Sequence, residues 1–360
     1  MYKKLFIPGP THVRDEILQA QAAPMIGHRA KEYSDLQFAV TAKLQQLLYT
    51  DERVYLFASS STGVMEGAIR QASTKRILNT VCGAFSKRWH QITKLNGVPC
   101  DSVEVPMGQA ISVDLVDDVL TKGVADGNPF DAVTVVMNET SAGIMNPVRD
   151  IAAMIQAEHP HVLMIVDAVS CMAGAKIEFD AWGLDVCLAG VQKCFALPAG
   201  LTVCAVSARA RERALQVQYP GYYFTYAAMD EKYEKGQTPA TPAISLIRAL
   251  DKQMDDILAD GLEKRWQRHA DMAAVVQDWA RSNFGLFSDE RYLSSTVTNV
   301  ANTRGISVAD LNIELGKRGA MISNGYGSLK EKCFRIAHMG DLTMDDVRWL
   351  LTQIDDIAGL

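Results

Sequence analysis

Through the first two thirds of the chain, short runs rich in β-branched and apolar residues alternate with longer stretches whose apolar positions recur every three to four residues. The runs 54–58, 76–80, 132–137, 163–166, 186–189 and 201–206 read as strands. The longer stretches predict helices over 33–48, 63–71, 85–95, 113–121 and 150–156. Such alternation is what a mainly parallel sheet covered by helices produces. No repeat or low-complexity tract interrupts it.

The pattern breaks at KGQTPATP, residues 235–242, where two prolines and a glycine end the periodicity. Beyond it come a long helical stretch from 243 to about 260, a helix over 263–281, strands near 295–301 and 333–337, and a closing amphipathic helix over 344–357. This predicts an α/β protein with a large domain over 15–242 and a smaller α+β domain over 243–360, joined by the N-terminal arm 1–14. The length of 360 residues agrees, because single cores stop growing near about 250–300 residues.

Composition narrows the function classes. A net charge of −6 leaves no basic face to hold phosphodiester chains, so no nucleic-acid partner is expected. The start MYKKLFIPGP reaches Pro8 after three apolar residues, too few for a signal-peptide core, and nowhere do about 18 apolar residues run without a charge. The expectation is a cytoplasmic protein with no membrane partner. Seven scattered cysteines, odd in number and mostly inside apolar runs, read as small buried hydrophobes in a reducing compartment; no metal site is expected.

The candidate chemistry lies in 162–200. The apolar run VLMIV ends on Asp167, and DVCLAG leads into Val191-Gln192-Lys193 and a turn-rich LPAG. Ligands of open parallel sheets bind outside the carboxyl ends of the strands, so a carboxylate and an amine are expected in one crevice. A lysine amine can condense with an aldehyde, and a carboxylate can keep a pyridinium nitrogen protonated. Alone, the pair reads more readily as a structural ion pair. A second element is Ser59-Ser60-Ser61-Thr62-Gly63 between a strand and the helical VMEGAIR, which offers hydroxyls and free amides to an anion or, equally, a plain helix cap. It matches neither GxxxxGK[ST] nor GxGxxG, which favours a single phosphate over a nucleotide.

Taken together, SSSTGVME, CGAFSKR, NETSAGIMNP, VDAVS, GVQKCFALPAG, TPATPAIS and FRIAHMG resemble the class V aminotransferases, fold type I pyridoxal-phosphate (PLP) enzymes, along nearly the whole chain. The resemblance implies a mainly parallel seven-stranded sheet, PLP as cofactor and a transaminase that carries an amino group between an amino acid and a 2-oxo acid. It implies that Lys193 holds the cofactor as a Schiff base and that Asp167 protonates its ring nitrogen. Ser61, Thr62 and Gly63, with Gln192, match the phosphate site. Phe85 matches the stacking position, often tryptophan in relatives, and Thr140 the hydroxyl that bonds the phenolic oxygen. Thr238 and Thr241 match the segment that reaches a neighbouring subunit's phosphate, implying a homodimer. Arg335 matches the guanidinium that clamps the substrate α-carboxylate.

His28 and Arg29 are similar to a His-Arg pair that contacts the substrate phosphate in phosphoserine aminotransferases, which implies phosphoserine with 2-oxoglutarate as substrates. FRIAHMG is closer to the serine or alanine:glyoxylate branch, the alternative. A cysteine desulfurase would need a cysteine in the matching loop, and Ser323-Asn324-Gly325-Tyr326-Gly327 has none. A non-catalytic binding protein would be expected to lose Lys193 or Asp167, and both are present.

Overall fold

The computed structural model describes residues 3–360. Its larger sheet has seven strands in the order Arg53–Phe57, Thr202–Val206, Val186–Gly190, Leu163–Asp167, Ala132–Val136, Ile77–Val81 and Cys100–Glu104. Thr202–Val206 runs antiparallel to both neighbours, and the other pairings are parallel. Ile77–Val81 and Leu163–Asp167 are buried at every position, as strands covered on both faces must be. The edge strand Cys100–Glu104 is only partly covered, and its CDSVE sequence lacks the apolar run by which the others are recognised.

Successive strand side chains point to opposite faces and so feed two cores. On one face Val133, Val166 and Cys187 pack with Leu44 of helix Lys31–Leu48, Ile151 of Val148–Glu158 and Leu250 of Ile244–Asp260. On the other, Val136, Ile165 and Leu188 pack with Ile69 of Ser61–Ala72 and Trp89 of Ala84–Leu95. A four-stranded sheet, Lys4–Phe6, Ala320–Asn324, Cys333–Ala337 and Val297–Ala301, carries a third core with helices Leu262–Asn283, Val308–Lys317 and Met344–Ala358. Lys4–Phe6 pairs parallel to Ala320–Asn324, while the other pairings of this sheet are antiparallel. From that strand the chain crosses to the larger sheet, where Thr11 donates to the carbonyls of Gln192, at 3.1 Å, and Lys193, at 3.0 Å.

Within the larger sheet, the carboxyl ends of the parallel strands share one edge. Ser60 and Ser61 follow Arg53–Phe57, Gly83 to Phe85 follow Ile77–Val81, Asn138 to Thr140 follow Ala132–Val136, and Lys193 follows Val186–Gly190. Asp167 is itself the last residue of its strand. Among the described residues no helix is long and apolar enough to cross a membrane, and no cluster of His, Cys, Asp or Glu could hold a metal ion.

Candidate active site

At that edge lies a cavity of about 130 Å³ lined by Ser61, Thr62, Phe85, Thr140, Asp167, Gln192 and Lys193, seven of the residues singled out in the sequence. One end is built to receive an anion. Helix Ser61–Ala72 starts without a side-chain cap from Ser60, and of its first three N–H groups that of Gly63 is taken by the Ser60 carbonyl. The buried Ser61 Oγ has no hydrogen-bond partner among the described residues. Ser61 and Gln192 converge above Gly190, where any Cβ would collide with both side chains.

The other end holds a carboxylate with no ion-pair partner among the described residues. Asp167, 3% exposed, accepts the Trp89 indole N–H at Oδ2, 2.8 Å away, and the backbone N–H of Val169 at Oδ1, 2.9 Å away. Burial pushes its pKa up to about 6 against the pull of these two hydrogen bonds. A cationic ring nitrogen would give this carboxylate a direct ion-pair partner.

Lys193 is partly buried, and its amine donates to the carbonyl of Pro8. Burial holds the amine down to about 8, and the positive fields of Arg335 and Arg88 act in the same direction. Gly9 lies against this side chain with a φ of 97°, and a Cβ there would overlap the lysine chain and its nitrogen. The N-terminal arm therefore closes one wall of the site around the lysine.

Phe85 is set by a residue the motif reading passed over. Glu139, fully buried, accepts the backbone N–H groups of Phe85 at 3.1 Å and Ser86 at 2.8 Å, together with the hydroxyls of Ser86 and Ser141. It thus takes up the orphan donors at the start of helix Ala84–Leu95. Gly83 leaves room for it, since a Cβ there would strike the Glu139 carboxylate. The Phe85 ring lies 5.4 Å from that of Tyr326, and the Arg335 guanidinium sits 5.5 Å from the Tyr326 ring. Arg335 is 8% exposed, donates weakly to the carbonyls of Thr140 and Asn324, and has no ion-pair partner among the described residues. A buried guanidinium with no carboxylate is suited to take one from a ligand.

The remaining predicted residues lie outside the cavity. Gly63 donates its N–H to Ser60 and faces Ser59 and Phe224, so it contributes space to the helix start and no free amide. Thr238 and Thr241 line a separate groove of about 270 Å³ with Tyr222, Tyr223, Pro239 and Pro242. Arg29 is exposed and donates to the carbonyl of Thr238 at 2.8 Å; His28 is half-buried beside it. Trp89, Glu139 and Tyr326 complete the site. A sequence signal existed for Trp89, which stands four residues after Phe85 and so on the same helix face.

The family model for class V aminotransferases matches residues 13–348. The chain is 31% identical to an L-aspartate–glyoxylate aminotransferase of Paracoccus denitrificans over 94% of its length and 87% of the relative's. It is 30% identical to a serine–glyoxylate aminotransferase of Hyphomicrobium methylovorum, over 94% and 85%. The crystal structure of an aspartate aminotransferase of Thermus thermophilus superposes with a TM-score of 0.90 at 25% identity, covering 99% of each chain. The chain belongs to the class V aminotransferases, enzymes of fold type I that use pyridoxal phosphate. The cavity fits that molecule: an orphaned hydroxyl and an uncapped helix start suit a phosphate, an aromatic face suits a ring, and an uncompensated carboxylate suits a protonated ring nitrogen.

Proposed function

We propose that the chain transfers an amino group from a small amino acid to glyoxylate, with Lys193 as the residue that bonds the coenzyme. What carries the reading is the meeting in one cavity of Lys193, an Asp167 carboxylate and a Ser61 hydroxyl, the last two without an ion-pair or hydrogen-bond partner, respectively, among the described residues. When bound, PLP supplies an aldehyde that condenses with amines and a protonated ring that draws electrons from the α-carbon. Ser61, Thr62 and Gln192 hold the phosphate, Phe85 stacks on the ring, Thr140 bonds the phenolic oxygen and Asp167 keeps the ring nitrogen protonated. Arg335 binds the donor's α-carboxylate through its guanidinium fork. Lys193 Nζ, held down to about 8 by burial and so deprotonated more readily than a free lysine amine, takes the proton from the donor's Cα and delivers it within the same cleft. The Pro8 carbonyl and the arm around Gly9 orient that amine and exclude water.

Two observations favour glyoxylate over phosphoserine with 2-oxoglutarate. The curated relatives reported above are named for glyoxylate, and the Arg29 guanidinium is engaged by the backbone of Thr238. The active unit is a homodimer in this reading: Thr238 and Thr241, set apart from their own cavity, reach the phosphate of a neighbouring subunit. The test is a screen of serine, alanine, aspartate and phosphoserine against glyoxylate and 2-oxoglutarate. Glyoxylate is expected to be the better acceptor at least about tenfold, a gap of about 1.4 kcal/mol in transition-state stabilisation. Efficient turnover confined to phosphoserine with 2-oxoglutarate would overturn it.

A further inference from the structure

Among the described residues the Asp167 carboxylate has two hydrogen-bond donors, both neutral: Val169 N–H on Oδ1 and the Trp89 indole on Oδ2. The first is local, two residues along the chain. The second comes from a different element, helix Ala84–Leu95, whose start is fixed by Glu139 and whose first turn carries Phe85. Trp89 is 1% exposed and packs with Met65, Val136 and Ile165, so its ring has little freedom to turn. A purely apolar role would not require the N–H to find a partner, and the indole N–H of Trp266 finds none among the described residues. That of Trp89 meets the one buried carboxylate in the cavity wall that accepts it, at 2.8 Å. Because residues 85 and 89 share a helix face, one rigid element carries both the aromatic surface of the site and the donor that orients its carboxylate.

We infer that Trp89 is a positioning residue for transamination, its indole N–H fixing the Asp167 carboxylate against the ring nitrogen of the coenzyme. The inference rests on the reading of Asp167 as the ring partner. A donor on a buried carboxylate also favours its charged form, here against burial and the nearby Glu139, with Lys193 acting in the same sense as the indole. Two effects therefore follow from one bond: the carboxylate plane is fixed, and its charge is retained.

The test compares four holoenzymes: wild type, Trp89→Phe, Asp167→Asn and the double variant. Trp89→Phe keeps an aromatic ring in the core and deletes the N–H. It should lower kcat about tenfold to a hundredfold, the range for a charge-assisted hydrogen bond, with KM nearly unchanged. It should also displace the pH titration of the coenzyme's visible band. In the Asp167→Asn background the same change should cost less than about twofold, because the partner through which it acts is gone. Trp89→His, which offers a ring N–H, should recover part of the loss. Equal losses in both backgrounds, or a Trp89→Phe enzyme with wild-type kcat and spectrum, would overturn the inference while leaving Asp167 in place. A near-normal Asp167→Asn enzyme would remove the reading on which it rests. Should Trp89→Phe fail to fold, the indole N–H resonances of 15N-tryptophan protein give the answer: one must move on Asp167→Asn and on PLP loading, and if none moves the inference fails.

Discussion

The Arg29 guanidinium donates to the carbonyl of Thr238 at 2.8 Å, with longer contacts to Gln237 and to the carbonyl of Pro239. Arg29 thus braces the TPATP segment, and its donors point at two backbone carbonyls and the Gln237 side chain. Arg29→Ala is expected to lower kcat/KM for phosphoserine and for alanine by the same factor, within about threefold, since no single donor loses a charge-assisted bond worth about 1.5–3 kcal/mol. Steady-state kinetics with both donors check this. A loss confined to phosphoserine would restore Arg29 as a phosphate receptor.

Glu139→Gln replaces one carboxylate oxygen by an amide NH2 that must face donors from Ser86 or Ser141. A buried donor set against donors costs about 1–3 kcal/mol, so urea unfolding of the apoprotein should show a loss of that size. Because Glu139 sets the start of the Phe85 helix, PLP affinity measured from the visible band should fall as well. Unchanged stability and affinity would show that the Phe85, Ser86 and Ser141 donors around Glu139 are satisfied elsewhere.

The Asp167 carboxyl sits near 6 in the fold, against about 3.9 in an unfolded chain. Between those values the native apoprotein holds a proton that the unfolded chain has released, so this group's contribution to stability is complete below about pH 4 and lost as pH rises through about 6. The loss amounts to roughly 3 kcal/mol at about 1.4 kcal/mol per pH unit. Asp167→Asn removes the titration, so the stability of apo wild type relative to the variant should decline from pH 4 to 7 in urea denaturation. Parallel curves would contradict the burial of an ionisable Asp167.

The central strands were legible because their apolar runs are uninterrupted: the expected runs 132–137, 163–166 and 186–189 correspond to Ala132–Val136, Leu163–Asp167 and Val186–Gly190. Cys100–Glu104 was not, since an edge strand keeps charged Asp101 and Glu104 and needs no buried run. Lys4–Phe6 is three residues long and exists through its pairing with Ala320–Asn324, far away in sequence. The short helices Ala208–Ala214 and Tyr226–Tyr233 also escaped a reading that relied on longer periodicity. In the site, Lys193, Asp167 and Ser61 were readable from their places after strands. Glu139 and Tyr326 act through partners more than 50 residues away in one case and across two sheets in the other, and spacing carries no trace of that. The His28-Arg29 motif pointed to a substrate phosphate, and a sequence motif does not reveal that the Arg29 guanidinium already donates to the backbone carbonyl of Thr238.

Lys193 is the residue expected to bond the coenzyme. Purified holoenzyme should absorb visible light, lose that band on treatment with borohydride, and yield on digestion a phosphopyridoxyl peptide containing Lys193. Lys193→Ala should leave some PLP bound through the Ser61, Gln192 and Asp167 contacts while abolishing turnover and the reducible label. Peptide mapping after borohydride reduction is the direct measurement: a label on Lys193 is the predicted result, and a label on any other lysine would contradict the account.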